Sequence, residues 1–175
     1  MSHQIYDLAG FQDYSVWTAL SNDTTNLATS TARLSPAGAI TFDKANGTGD
    51  KTYAGVYQTV DLDFTSGALS HICSEDRLVF SFYVGATTNV ASLTLHLGSS
   101  LTVCRTWTIA DTSMTSSSWQ SLSCKWGTNT IAGAGWTPAA VTYMAVAFNF
   151  DGETNALAGL ILDRVYLMKN TATVS

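Results

Sequence analysis

The stretch Arg77-Leu78-Val79-Phe80-Ser81-Phe82-Tyr83-Val84 repeats its character every second residue. Successive side chains of a pleated strand face opposite sides. Leu78, Phe80, Phe82 and Val84 therefore share one face, and Val79, Ser81 and Tyr83 share the other. Fully burying four such apolar groups is worth roughly 6–12 kcal/mol before chain entropy is subtracted. The segment predicts a central strand whose apolar face meets a second layer.

The same period recurs. Val56, Gln58, Val60 and Leu62 alternate with Tyr57, Thr59 and Asp61, and Leu93, Leu95 and Leu97 alternate with an outward Thr94 and His96. Met144, Val146, Phe148 and Phe150 share a face, as do Val165 and Leu167 within the closing stretch Leu160–Met168. Leu101–Ile109 and Trp119–Trp126 read as strands around a Ser/Thr-rich loop, and Tyr14–Ala19, Thr31–Leu34 and Ala39–Phe42 as shorter ones. Asn22–Thr24, Ser35–Gly38 and Asn46–Asp50 carry turn chemistry. Sustained helical periodicity is missing, so the fold class expected is all-β: an antiparallel sandwich spanning 1–175 as a single domain.

Only 12% of the residues are charged, against about 25% in ordinary globular chains. Ser and Thr fill the outward positions, which suits half-exposed pleats better than helix surfaces. Net charge is −5 and no Lys/Arg cluster exists, which argues against nucleic acid. The longest apolar runs have strand length, which argues against a membrane span. Residues 1–20 lack a basic start and a hydrophobic block, so no secretory signal is expected.

Cys73, Cys104 and Cys124 have no C-x-x-C spacing and are expected as free thiols, although Cys104 and Cys124 lie on successive strands that can face each other. Asp61 with Asp63, and Glu75 with Asp76, are paired carboxylates with no apolar pocket to raise one pKa, so solvated charges are expected. The histidines His3, His71 and His96 form no H-x-x-x-H pair, and no Gly-x-Ser-x-Gly elbow or phosphate loop occurs. The expectation is a protein without enzymatic activity.

The order GFQDYSVW, GVYQTVDL, DRLVFSFYV, SLTLHLGSS, WQSLSCKW, VAFNF and LILDRVYL resembles the galactose-binding-like jelly rolls. That fold is shared by many carbohydrate-binding modules and by small domains of bacteriophage virion proteins. The resemblance implies a jelly roll over nearly the whole chain. It also raises a structural calcium ion, with Asp163 at the terminal position and Asp13 at the early one. A hard cation takes six to eight oxygens, so the expectation is no cofactor, with calcium as the alternative.

Among Trp17, Trp107, Trp119, Trp126 and Trp136, the three on strand-like segments are expected in packing, and Trp136 lies in a loop beside Gly135 and near Pro138. Trp136, Trp17 and Tyr53 are the candidate ligand-binding residues, because exposed rings stack on the apolar faces of sugars. The resemblance, together with the expectation of a stand-alone module without signal peptide, linker or catalytic partner and a sparsely charged, Ser/Thr-rich surface, gives a first expectation of a virion structural protein, a capsid decoration (cement) protein or small tail or fibre module, assembled in a host cytoplasm. Its partners would be itself, as a symmetric trimer, and the major capsid or tail protein. Val79, Tyr83, Tyr57 and Tyr166, opposite the predicted core, motivate the self-association. The alternative is a carbohydrate-binding module with a glycan partner.

Overall fold

The computed structural model describes residues 2–34, 38–47 and 52–171. The described residues form two antiparallel sheets. The first contains β1 (Ser2–Gly10), β3 (Thr24–Ser30), β4 (Ala39–Lys44), β6 (Arg77–Val84), β9 (Ser118–Lys125) and β12 (Leu157–Thr171), in the order β3-β4-β12-β6-β9. The long β12 holds β4 along its first half and β1 along its second, on the edge opposite β6. The second sheet runs β10-β8-β7-β11-β5-β2, from β2 (Thr18–Ala19), β5 (Tyr53–Leu62), β7 (Val90–Ser100), β8 (Val103–Ala110), β10 (Thr130–Ala132) and β11 (Val141–Phe150). The chain crosses repeatedly between sheets, as a jelly roll does.

The core lies between the sheets and is built by the alternation read above. Leu78, Phe80, Phe82 and Val84 are all buried, facing Leu93, Leu95 and Leu97 and the Met144, Val146, Phe148 set. Phe148 joins the layers: its ring stands 5.8 Å from that of Phe82, edge on, and 6.3 Å from that of Phe42. Trp107 is fully buried beside Trp126 at 4.5 Å and closes one end of the same core.

Several expectations need correction. Tyr14–Val16 is a 3-10 turn and not a strand, because the Asp13 carboxylate accepts the Ser15 N–H at 2.9 Å and caps it. The strand expected at Thr31–Leu34 lies earlier, at Thr24–Ser30. The first strand escaped the sequence reading because a bulge between Asp7 and Ala9 breaks its alternation. The Asn46–Asp50 turn is described only through Gly47, and of Ser35–Gly38 only Gly38 is described. Cys104 and Cys124 are free thiols in different sheets, and Cys73 is free and exposed.

The expected apolar patch is split. Val79, Tyr83 and Tyr166 do stand opposite the core on the first sheet, but Tyr57 belongs to the second. Val79 is itself only 5% exposed.

Phe148→Ala should cost about 3–5 kcal/mol, the usual range for a truncated core aromatic, read by urea denaturation. A variant with an unchanged midpoint and slope would show that Phe148 is not the junction of the layers.

A tyrosine-walled groove on the second sheet

The face of the second sheet turned away from the core is set by register. Across it, Tyr57 pairs with Ala145, Ala145 with His96, and His96 with Thr106. One step along, Gly55 pairs with Ala147, Ala147 with Thr94, and Thr94 with Thr108; beyond these, Tyr53 pairs with Asn149 and Asn149 with Ser92. On the other side Tyr143 pairs with Gly98, and Gly98 with Cys104. No residue in these rows carries a formal charge at neutral pH.

The middle of this face is made of small residues for a steric reason. A Cβ at Gly55 would lie 2.2 Å from the Val146 carbonyl oxygen, and one at Gly98 would lie 2.0 Å from that of Val103. The neighbouring strands come so close here that only hydrogen fits. Ala145 and Ala147 continue the low floor and are buried, while Tyr53, Tyr57 and Tyr143 stand partly exposed as walls. Tyr57 and Tyr143 stack at 5.4 Å with 26° between ring planes. A cavity of about 80 Å3 opens between Leu20, Tyr53, His96, Leu101, Ala147 and Asn149.

The polar groups of the floor form one network. Asn149 Nδ2 donates to Ser92 Oγ at 3.0 Å and to Thr94 Oγ1 at 3.2 Å, and Thr94 Oγ1 donates to the Ala147 carbonyl at 3.2 Å. His96 Nε2 lies 3.1 Å from Thr94 Oγ1, and its Nδ1 lies 3.1 Å from Thr106 Oγ1. With its hydroxyl hydrogen given to Ala147, Thr94 accepts from Nε2–H, which leaves Nδ1 to accept from Thr106. Desolvation lowers the His96 pKa from 6.5 to about 4, so the ring is neutral. Burial pushes the Tyr143 phenol up, with smaller contributions from Tyr57, Cys104 and Tyr53, and it remains an O–H donor. Burial also raises the Cys104 thiol, which donates to the Leu101 carbonyl at 3.3 Å. A neutral thiol 3.7 Å from a neutral imidazole is no thiolate–imidazolium pair.

Of the ligand-binding residues expected from sequence, Tyr53 lines this groove. Trp17 does not: it is 4% exposed and stacked on Phe11 at 4.6 Å, so its faces are covered. Trp136 is half-buried at one end of the sandwich, its indole N–H donating to the Leu97 carbonyl at 2.9 Å and its ring under the Arg105 guanidinium at 4.1 Å. The sequence missed Tyr57, Tyr143 and Asn149. The usable signal was Ala145 and Ala147 at outward positions of a central strand, where large or polar residues are the norm.

Asp163 and Asp13 are the residues raised for a calcium ion. Asp163 is buried and accepts the Leu34 N–H at 3.3 Å, while the exposed Asp13 is engaged by Ser15. Among the described residues no three His, Cys, Asp or Glu side chains are grouped to hold a metal. Of the paired carboxylates, Asp63 caps Thr65 and Ser66, and Asp76 is buried, accepting the Cys73 N–H.

No protein-family model matches this chain, and no curated protein matches it in sequence. Solved structures do match in shape. The family 11 carbohydrate-binding module of Clostridium thermocellum, in complex with a β-1,3-1,4-mixed-linked tetrasaccharide, aligns at TM-score 0.58 and 10% identity over 93% of this chain and 94% of its own. The fold is that of a carbohydrate-binding-module jelly roll. A family 11 module of a cellulosomal cellulase from the same organism aligns at 0.60 and 11% over 100% of both chains. A family 30 module of another cellulosomal cellulase of that organism aligns at 0.62 and 9%, over 98% of this chain and 99% of its own. These likenesses carry the β-sandwich fold expected from the sequence.

His96 gives this face a pH signature. Its folded pKa lies below the unfolded value of 6.5, so the unfolded chain takes up the proton more readily. Its contribution to stability is full above about pH 6.5 and is lost as pH falls toward about 4, with a slope of up to about 1.4 kcal/mol per pH unit. His96→Gln should flatten the stability profile between about pH 7 and about pH 5. Parallel profiles for the two proteins would contradict a desolvated, neutral His96.

Proposed function

We propose that this chain is a non-catalytic carbohydrate-binding domain that holds a neutral oligosaccharide in the tyrosine-walled groove. The carrying observation is the chemistry of that face: partly exposed tyrosine rings around a floor of hydroxyl, amide and imidazole groups, with no charge among them. A pyranose presents apolar C–H faces and a rim of hydroxyls, so it needs rings to lie against and neutral groups that both donate and accept. Tyrosine supplies both from one side chain, and ligand sites usually combine such apolar walls with a few placed polar groups.

The tetrasaccharide bound by the family 11 module supports a β-1,3-1,4-mixed-linked oligosaccharide as the first ligand to try. Tyr53 keeps the binding role expected from sequence and is joined by Tyr57, Tyr143, His96 and Asn149. Trp136 and Trp17 take no part in this groove.

The virion reading rests on features of the sequence alone. Its trimer and its capsid or tail partners would use the outer face of the first sheet, where Val79, Tyr83 and Tyr166 stand. The groove belongs to the other sheet, so the glycan reading is the better supported.

Calorimetric titration with soluble mixed-linked glucan oligosaccharides, followed by a panel of other neutral oligosaccharides, tests the proposal. Tyr57→Ala should weaken binding at least about tenfold, or about 1.4 kcal/mol, with little change in melting temperature. Trp136→Ala should leave the affinity unchanged. Binding that survives Tyr57→Ala and Tyr143→Ala would remove the groove from the function. A protein that ignores every glycan and co-sediments as a trimer with phage particles would favour the virion reading.

A further inference from the structure

A second cavity of about 280 Å3 opens at one end of the sandwich, lined by Phe64, His71, Arg105, Trp126, Trp136 and Pro138. Its walls are two loops, 63–76 and 133–140, tied together where the Phe64 N–H donates to the Pro138 carbonyl at 2.8 Å. β8 supplies Arg105, one pair step before the buried Trp107, at a core-facing position too near the end of the sheet to be covered.

Among the described residues, the buried side-chain polar atoms around this cavity have hydrogen-bond partners with one exception. Trp107 Nε1 donates to the Trp126 carbonyl at 2.7 Å, Asn129 Nδ2 donates to the same carbonyl at 2.9 Å, and Trp136 Nε1 takes the Leu97 carbonyl. Arg105 Nε is buried and has no hydrogen-bond partner. The ion pairs among described residues join Lys44 to Asp23, Lys125 to Glu75 and Arg164 to Asp7, and none involves Arg105. Stacking on Trp136 holds the guanidinium flat but supplies no acceptor. The Arg105 side chain, partly exposed, nevertheless lines the cavity, and a guanidinium is a fork suited to a planar carboxylate. At the rim, His71 is held at φ 56°, a backbone conformation that side-chain-bearing residues seldom adopt.

We propose that this cavity is a second binding site, one that takes a carboxylated sugar, with the hexuronate carboxylate on Arg105 and the pyranose ring against the aromatic wall. Sites for drug-sized ligands occupy about 300–1,000 Å3, so this volume suits a single ring. The choice of a sugar as the carrier of the carboxylate rests on the glycan reading above; the anion site itself does not. The groove is uncharged and this cavity is cationic, so the two sites select different residues of a glycan.

Two-dimensional 15N NMR of the whole chain, titrated with glucuronate and galacturonate and separately with glucose, galactose and acetate, tests the proposal. Uronates should shift the Trp126 and Trp136 indole and Arg105 Nε signals, at least about tenfold more tightly than the neutral sugars or acetate. Arg105→Gln should abolish that binding. Arg105→Lys, which keeps the charge and loses the fork, should weaken it at least about tenfold, with the remaining spectrum reporting an intact fold. Tyr57→Ala should leave uronate binding untouched, so a failure of the groove is separable from a failure here. Equal affinity for neutral and acidic sugars, equal affinity for acetate, or uronate shifts confined to the groove tyrosines would each overturn the proposal.

Discussion

The contact across the layers at Phe148 is the constraint the rest of this molecule depends on. One ring meets Phe82 from β6 of the first sheet and Phe42 from β4, on the far side of β12. Aromatic pairs tilted or edge-on at such distances add about 0.5–1.5 kcal/mol each beyond their area. They also fix the spacing and stagger of the sheets, because a ring that large has few ways to interlock. Once the inner faces are committed to apolar packing, every polar function must sit on an outer face or at an open end. The groove and the end cavity occupy those two kinds of place.

A buried ion pair holds the corner from which the groove is built. Lys44 and Asp23 are both fully buried, 3.0 Å apart, and Lys44 also donates to the carbonyls of Ala45 and Glu153. Such a pair gives little net stability against an apolar replacement, yet removing one partner is severe. What it does here is positional. Asp23 precedes Thr24, whose Oγ1 accepts the Gly55 N–H at 3.0 Å, and the nearby Ser21 Oγ donates to the Tyr53 carbonyl at 3.2 Å. The charge pair thereby anchors the strand that carries Tyr53, Gly55 and Tyr57 into the groove.

The fold was legible in the sequence because it rests on one repeated signal, period-two alternation of large apolar groups. Where that signal was intact, as at Arg77–Val84 or Val141–Phe150, the strand and its buried face were read correctly; where a bulge or a capped turn interrupted it, at Leu8 and at Tyr14–Val16, the element was missed. The groove was mostly illegible, since its residues come from β5, β7, β8 and β11 and meet only through register. His96 reads as a surface residue until Thr94 and Thr106 are seen on either side of it. At Trp136 the loop position leaves the ring half-buried, because a loop lying on the end of the core packs its large side chains inward even when its backbone is exposed.

The two outer faces differ in a way that decides which is available to a small ligand. On the first sheet the aromatic groups already have partners: Tyr83 lies 5.8 Å from Trp119, and the Arg164 guanidinium covers Tyr166 at 4.8 Å while pairing with Asp7. Ile161 and Val79 fill the rows between them and are nearly covered. A sugar lying over those aromatic groups would displace contacts already made. On the second sheet the glycine and alanine positions leave the depression, and the tyrosines stand partly exposed beside it. A pre-formed hollow loses less ordering entropy on binding than a surface that must rearrange. The close approach of strands at Gly55 and Gly98 is thus the feature that gives this sheet face its hollow.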